Sequence, residues 1–230
     1  MNKTCLSLVI AATMLTGTVK AQSFYVAGDF NGWNEAGNLM TEMQPGIWQA
    51  ALTGVSGRHE FKITDGTWSW SFPGQNSWFH SSAGGDVTIT YDVNTYSDGW
   101  LAGSQRVGLD TDPGIWTAVG SFQGWDNANP TTAMSPMGGG IYKYTTVLTP
   151  GTYDWKAVVT GSWDSISRDA RSVNTDNYSF TVDPGMELTS FYVDALKGTV
   201  KLEMAVVPEP ATLSLLALGL GALFFRPRRG

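Results

Sequence analysis

The chain has 230 residues, of which 14 are Lys or Arg and 20 are Asp or Glu, so its formal net charge is −6. This acidic balance argues against DNA, RNA or an anionic membrane surface as a partner. The single cysteine, Cys5, excludes an internal disulfide framework.

The N-terminus has the pattern of an export signal. Lys3 supplies a basic start, residues 5–15 are apolar and uncharged, and small or branched residues at Val19 and Ala21 fit a signal-peptidase site. A retained anchor is the alternative, but the apolar run is too short for a bilayer core of roughly 30 Å. We therefore predict a secretory signal peptide over 1–21, and Cys5 is removed with it.

The region between the two ends contains one sequence pattern twice. The first copy reads "YVAGDFNGWN", "GIW", "GRHEFKITDGTW" and "DVTITYD", and the second reads "TAVGSFQGWD", "GIY", "GTYDWKAVVTGSW" and "NYSFTVD". The order is preserved and the offset stays between 91 and 95 positions. The sequence therefore contains a tandem duplication.

Each copy has the alternation of β-strands. Residues 59–63 alternate apolar and polar side chains, and 87–91 and 178–182 are rich in β-branched and aromatic residues. Asp65-Gly66 predicts a tight turn into a strand over 67–70, and Thr160-Gly161 repeats it. No segment between the ends has a sustained helical period.

This pattern predicts an all-β fold with two tandem Ig-like β-sandwich domains. We place the first domain at 22–102, a Gly-rich linker at 103–114 and the second domain at 115–206.

The tail from 207 to 230 has a distinctive order. Pro208, Glu209 and Pro210 come first, followed by an uncharged run over 211–225 and an arginine cluster. As a helix this run is about 22 Å long, which suits a transient or thinned membrane span, and the arginines keep its end in the cytoplasm. An ordinary tail anchor is the alternative. The order resembles the PEP-CTERM sorting tail of Gram-negative bacteria, which implies an exosortase as processing partner, a transient inner-membrane intermediate, and delivery to the outer surface or the exopolysaccharide matrix.

Catalytic and metal-binding signatures are missing from the sequence. The two histidines, His59 and His80, do not form a metal-spaced cluster, and no nucleophile elbow, phosphate loop or dinucleotide fingerprint is present. The duplicated carboxylate positions, such as Glu60 with Asp154, fall on predicted strands, where solvated groups are the simpler interpretation. We therefore expect no enzyme activity, no catalytic residue, no metal and no cofactor.

The ten tryptophans divide into predicted core and predicted turn positions. Aromatic side chains that alternate with polar neighbours are expected to point into the core; these are Trp48, Trp100, Tyr142, Trp155 and Phe191. Phe30 and Phe122 are expected to anchor their turns to the core. The tryptophans at turns are Trp33, Trp68, Trp125 and Trp163. An exposed indole face stacks well on the C–H face of a sugar ring, and a lysine beside it donates to hydroxyls.

The second copy resembles the glycogen-binding and pullulanase-associated starch-binding modules, which are early-set Ig-like domains. The residues that carry the resemblance are "GSFQGWD", "GGGIYKYTTVLTPGTYDWKAVV" and "TGSWD". The resemblance implies polysaccharide contacts by a turn Trp, a strand Lys, a hairpin Trp and a loop Asn. By position these are Trp125, Lys156, Trp163 and Asn174 in the second copy, and Trp33, Lys62 and Trp68 in the first, where Asn76 is the nearest Asn.

The first copy departs from that pattern by an inserted "SFPGQNSWF" segment, expected as a loop in which Trp78 and Phe79 extend or block a binding face. The predicted function is therefore non-catalytic binding of a polysaccharide, either an α-glucan or a matrix polymer, by a sorted surface protein. The alternative is a structural surface protein in which the turn tryptophans only close the ends of the sandwiches.

Overall fold

Strands account for almost all regular structure in the computed structural model, which describes residues 22–173 and 175–207. In this part of the chain the only helical elements are two single 3₁₀ turns, Asp29–Asn31 and Pro130–Thr132. The all-β prediction is therefore confirmed. The predicted signal peptide, Pro208 to Pro210 and the predicted helix over 211–225 lie outside the described residues.

The first half of the chain contains eight strands: β1 (Tyr25–Gly28), β2 (Asn38–Leu39), β3 (Thr41–Gln44), β4 (Ile47–Leu52), β5 (Gly57–Thr64), β6 (Ser71–Ser81), β7 (Val87–Asp92) and β8 (Arg106–Leu109). They form two antiparallel sheets, in the orders β2-β1-β5-β6 and β3-β4-β7-β8. Side chains of both sheets share one apolar cluster, to which β5 contributes Phe61 and β7 contributes Ile89.

The second half repeats this plan with nine strands: β9 (Trp116–Gly120), β10 (Ser135–Gly138), β11 (Ile141–Val147), β12 (Gly151–Val159), β13 (Asp164–Ile166), β14 (Arg171–Val173), β15 (Tyr178–Val182), β16 (Leu188–Asp194) and β17 (Thr199–Ala205). One antiparallel sheet has the order β14-β13-β12-β15 with β9 also paired to β12, and the other has the order β10-β11-β16-β17. A second apolar cluster joins these two sheets, with Trp155 of β12 against Phe191 of β16 at a centroid distance of 4.7 Å.

The alternation read from the sequence holds toward the end of β5, in β7 and in β15. Phe61 and Ile63 are fully buried and Lys62 between them points to the other face of the sheet. Of the aromatics expected to point inward, Tyr142, Trp155 and Phe191 are buried. Trp48 and Trp100 are half-buried, Trp48 packing edge-on against Phe24 at 5.2 Å.

The hairpin between β5 and β6 differs from its prediction. Residues 65–70 form an irregular turn, so the predicted strand over 67–70 is wrong, and β6 begins only at Ser71. The "SFPGQNSWF" segment is part of this strand, not a loop. Trp78 and Phe79 are both fully buried, so they neither extend nor cover a binding face.

Trp78 connects the two halves, because it belongs to a strand of the first half and to the apolar cluster of the second. Its ring lies 6.0 Å from that of Trp116, and its indole N–H donates to the carbonyl oxygen of Ser165 at 3.2 Å. The guanidinium of Arg171 lies 4.6 Å from the Trp78 ring centroid, and the neighbouring Ser77 hydroxyl donates to the Arg171 carbonyl oxygen at 2.9 Å.

A buried carboxylate adds an ionic contact between the halves. Asp164 is 3% exposed and accepts two hydrogen bonds from Arg58, at 2.6 and 2.8 Å, and one from His80 at 2.8 Å. Burial alone would raise the pKa of the Asp164 carboxyl, but the hydrogen bonds and charges of His80 and Arg58 lower this pKa to about 2. The halves are therefore joined by apolar packing and by a charge-assisted contact.

We expect Asp164→Asn to lower the free energy of unfolding at neutral pH by about 2 kcal/mol, because the folded structure favours the ionised carboxylate. Since the pKa is lower in the folded than in the unfolded state, this contribution is complete above about pH 4 and is lost as the pH falls toward 2. Urea denaturation at several pH values measures it. The control is Asp169→Asn, whose ion pair with Arg168 is exposed and is expected to contribute little. A difference between Asp164→Asn and wild type that stays constant with pH would contradict the assignment.

The segment predicted as a linker, 103–114, contains β8, which pairs with β7 in a sheet of the first half. The Leu109 amide donates to the carbonyl oxygen of Leu196 in the turn between β16 and β17, at 2.8 Å.

Within residues 22–173 and 175–207, no helix is long and apolar enough to cross a membrane.

Candidate functional site

Both copies hold a tryptophan in the same unusual turn. The chain leaves β1 at Gly28 and β9 at Gly120, and each carbonyl oxygen accepts a hydrogen bond from the amide of Trp33 or Trp125, at 2.8 and 3.1 Å. Trp33 has a φ of 60° and Trp125 a φ of 62°. A left-handed conformation in a bulky residue is strained and persists only where the surrounding structure imposes it, which directs attention to a functional role.

The glycine before each turn is required by close packing. A Cβ at Gly120 would lie 2.4 Å from the carbonyl oxygen of Asp154 and 2.6 Å from the Phe122 ring. Phe122 in turn stacks on Phe191 at 5.0 Å, and in the first copy Phe30 lies 5.9 Å from Phe79. The phenylalanines hold the turns against the two cores and leave the tryptophans at the surface.

In the second copy, two tryptophans flank one lysine. The ammonium nitrogen of Lys156 lies 6.0 Å from the ring centroid of Trp125 and 5.8 Å from that of Trp163. Trp125 belongs to the turn after β9, Lys156 to β12, and Trp163 to the turn between β12 and β13. The antiparallel pairing of β9 with β12 brings these three positions together.

The exposed parts of this site are the indoles. Trp163 is 44% exposed and Trp125 is half-buried, whereas Lys156 is only 9% exposed. Its ammonium group donates to the carbonyl oxygen of Thr175 at 3.0 Å. Burial lowers the pKa of Lys156 below its ordinary 10.5, although the negative charge of Asp176 acts in the opposite direction. The site therefore has two aromatic surfaces with a positive charge between them.

The corresponding site of the first copy is arranged differently. Trp33 and Trp68 contact each other, with ring centroids 6.5 Å apart and planes tilted by 47°, and Trp68 is 47% exposed. The ammonium of Lys62 donates to the carbonyl oxygens of Pro73 and Gly74, at 3.0 and 2.7 Å. Burial lowers the pKa of Lys62. The start of β6 thus occupies two of the three donors of this lysine.

Of the two asparagines proposed beside these sites, the structure describes only one. Asn174 lies outside the described residues. Asn76 is on β6, and its amide donates to Glu60 Oε2 at 2.8 Å, so it bonds within the first half of the chain.

The sequence did not reveal the side chains that hold the turn of Trp163 in place. Asp164 follows Trp163 directly and is bound by Arg58 and His80, which are 106 and 84 positions away in the sequence. Its own amide donates to the Ser162 hydroxyl at 3.0 Å. No local pattern marks such a contact, because it depends on how the two halves meet.

The carboxylates and histidines of the described ranges do not assemble a metal site, and the duplicated carboxylates Glu60 and Asp154 are held in local contacts. Within 22–173 and 175–207, no group of three or more His, Cys, Asp or Glu side chains is placed to hold a metal ion. Glu60 is paired with Arg58 at 2.9 Å, and Asp154 accepts a hydrogen bond from the Ser179 hydroxyl.

Comparisons with known proteins identify two segments. Residues 114–200 match the Pullulanase X25 domain family, and residues 206–229 match the PEP-CTERM protein-sorting motif. Both resemblances read from the sequence are thereby confirmed. Among curated proteins, no relative matches the chain.

Two solved structures are similar at low identity. SusF from Bacteroides thetaiotaomicron is 18% identical with a TM-score of 0.34, and the match covers 83% of this chain and 50% of that one. A pullulanase from Bacillus acidopullulyticus is 13% identical with a TM-score of 0.30, over 80% of this chain and 28% of that one. The chain thus spans half or less of each of these proteins, and the similarity carries no argument about activity.

Proposed function

Since the chain carries a pullulanase X25-type domain at 114–200 and a PEP-CTERM sorting motif at 206–229, we propose that it is a sorted surface protein that binds polysaccharide without catalysis. The sorting motif supports export, processing by an exosortase after passage through the inner membrane, and delivery to the outer surface or the matrix. The two pairs of sheets support two Ig-like sandwiches, predicted at 22–102 and 115–206, and the segment 103–114 adds β8 to a sheet of the first.

The observation that carries the binding proposal is the placement of Trp125 and Trp163 on either side of Lys156. Two indoles give a sugar polymer two stacking surfaces, and the ammonium near both rings favours hydroxyl and ring oxygens. An α-glucan is the proposed polymer, because the resemblance that includes these residues is to starch-binding modules. The X25-type domain supports non-catalytic binding in the same way.

A structural surface protein is the second candidate, and one observation favours it. Trp33 and Trp125 are only half-exposed, as residues that close the end of a sandwich would be. Trp68 and Trp163, which are the more exposed member of each pair, favour binding instead.

Affinity electrophoresis of the full chain separates the two candidates. Gels that contain glycogen or soluble starch are compared with gels that contain a β-glucan or no polymer. Retardation by the α-glucans alone supports the proposed function. Equal mobility of the folded protein in every gel would leave the structural role.

Lys156→Met tests the charged member of the site. We expect about a tenfold loss of affinity for soluble starch, because a hydrogen bond to a charged donor contributes about 1.5 kcal/mol. Stability should change little, since the apolar Met replaces a side chain whose charge is disfavoured by burial. Titration calorimetry measures the affinity. Lys62→Met is the matched control, with a smaller expected loss, and equal effects of both variants would contradict the assignment.

A further inference from the structure

A cleft of about 240 Å³ lies where the two halves of the chain meet. One wall is the start of β6 and the other is the segment around β14. Phe72, Gly74 and Gln75 line the first wall, and Asp169, Ser172, Thr175 and Asp176 line the second.

Each wall is tied to one of the two aromatic sites. Lys62 of the first site donates to the Gly74 carbonyl oxygen at 2.7 Å, and Lys156 of the second site donates to the Thr175 carbonyl oxygen at 3.0 Å. Because both carbonyl-bearing residues line the cleft, each wall of the cleft is in contact with the lysine of one tryptophan–lysine site.

The walls are held in fixed relation to each other. Trp78, a few residues further along β6, is buried in the second core, and the Ser77 hydroxyl donates to the carbonyl oxygen of Arg171 at the start of β14. The salt bridge between Arg58 and Asp164 lies across the same junction. Binding of a ligand across the cleft therefore carries no entropic cost for fixing the two halves relative to each other.

The chemistry of the walls suits a neutral, hydroxyl-rich unit. Phe72 is half-buried and supplies apolar surface, and Ser172 and Gln75 supply polar groups. Asp169 and Asp176 supply carboxylates, of which that of Asp169 is paired with Arg168. Among the described residues, the side chains of Gln75 and Asp176 make no hydrogen bond. A carboxylate accepts well from neighbouring hydroxyls and repels an anionic group. The volume is below the roughly 300–1,000 Å³ of sites that enclose a whole small molecule, and so fits one unit of a longer chain.

We infer that this cleft is a sugar subsite that joins the two aromatic sites, so that one neutral glucan chain contacts both halves of the protein. The inference rests on the proposed function and adds to it the path and the charge of the polymer. Binding at the second site raises the effective concentration of the same chain at the cleft and at the first site. Affinity therefore rises with chain length, and a polymer of uronic acids is excluded by the cleft carboxylate.

The test compares a short and a long ligand on the full chain. Titration calorimetry is run with maltotriose, which is short enough for a single tryptophan pair, and with soluble amylose. The cleft variant is Gln75→Ala, and the matched control is Gln44→Ala, which removes the same group from an exposed position outside the cleft.

We expect the cleft variant to lose about fivefold or more in affinity for amylose and to keep its affinity for maltotriose, because only the long chain reaches the cleft. The control should match the wild type for both ligands. Unchanged amylose affinity in the cleft variant, with binding by the wild type intact, would overturn the subsite and leave the proposed function standing. Failure of the wild type to bind either ligand would overturn both.

Discussion

Replacement of Trp78 by alanine is expected to lower the free energy of unfolding by about 3–5 kcal/mol, the range for loss of a fully buried large aromatic side chain. The indole has no solvent exposure, lies 6.0 Å from Trp116 and beneath the guanidinium of Arg171, and donates to the Ser165 carbonyl oxygen. The substitution leaves a cavity in the second core and removes the main apolar contact that β6 makes with it.

Loss of the Trp78 side chain should also change the number of unfolding transitions. In the wild type, the shared packing of Trp78 couples the halves, so we expect one cooperative transition in guanidinium, and two separated transitions in Trp78→Ala. Trp78→Phe keeps most of the apolar volume and should retain a single transition. A cost below about 1 kcal/mol for Trp78→Ala would contradict the buried position of this side chain.

The second large effect is on binding. We expect Trp125→Ala with Trp163→Ala to weaken binding of soluble starch by roughly 30- to 150-fold, since each ring contributes about 1–1.5 kcal/mol of stacking. Stability should fall only slightly, because Trp163 is largely exposed and Trp125 sits in a strained turn. Titration calorimetry gives the affinity and thermal denaturation confirms that the variant is folded.

The matched control for that variant is Trp33→Ala with Trp68→Ala. These rings contact each other, and their lysine is bound by two backbone carbonyl oxygens, so a smaller loss is expected. Starch binding that survives in the second-copy variant and disappears in the first-copy variant would contradict the assignment of the main site to the second copy.

The parts of the fold that depend on local alternation were predictable from the sequence. Phe61 and Ile63 face the core and Lys62 faces outward, as their spacing requires. The duplication pairs Trp33 with Trp125 and Lys62 with Lys156 from the sequence alone. In the second copy, three of the four residues named from the resemblance, Trp125, Lys156 and Trp163, lie together.

The parts that depend on contact between the halves were not predictable. Trp78 sits in a segment with Pro, Gly, Gln and Asn, which locally favour a loop, yet packing against the second core makes it part of a long strand. No local sequence pattern marks Asp164, because only the approach of Arg58 and His80 from the other half makes it a buried ion partner. The left-handed backbone of Trp33 and Trp125 is likewise invisible in the sequence, where glycine or asparagine would be expected at such a φ.

The most direct test of sugar binding by the second copy follows individual indole N–H signals in the NMR spectrum of the ¹⁵N-labelled full chain as maltoheptaose is added. We expect the signals of Trp125 and Trp163 to shift in a saturable way. The signals of the buried Trp116 and Trp155 should stay in place. Indole signals of Trp125 and Trp163 that do not move at any concentration of maltoheptaose would contradict the role of these rings as a sugar-binding surface.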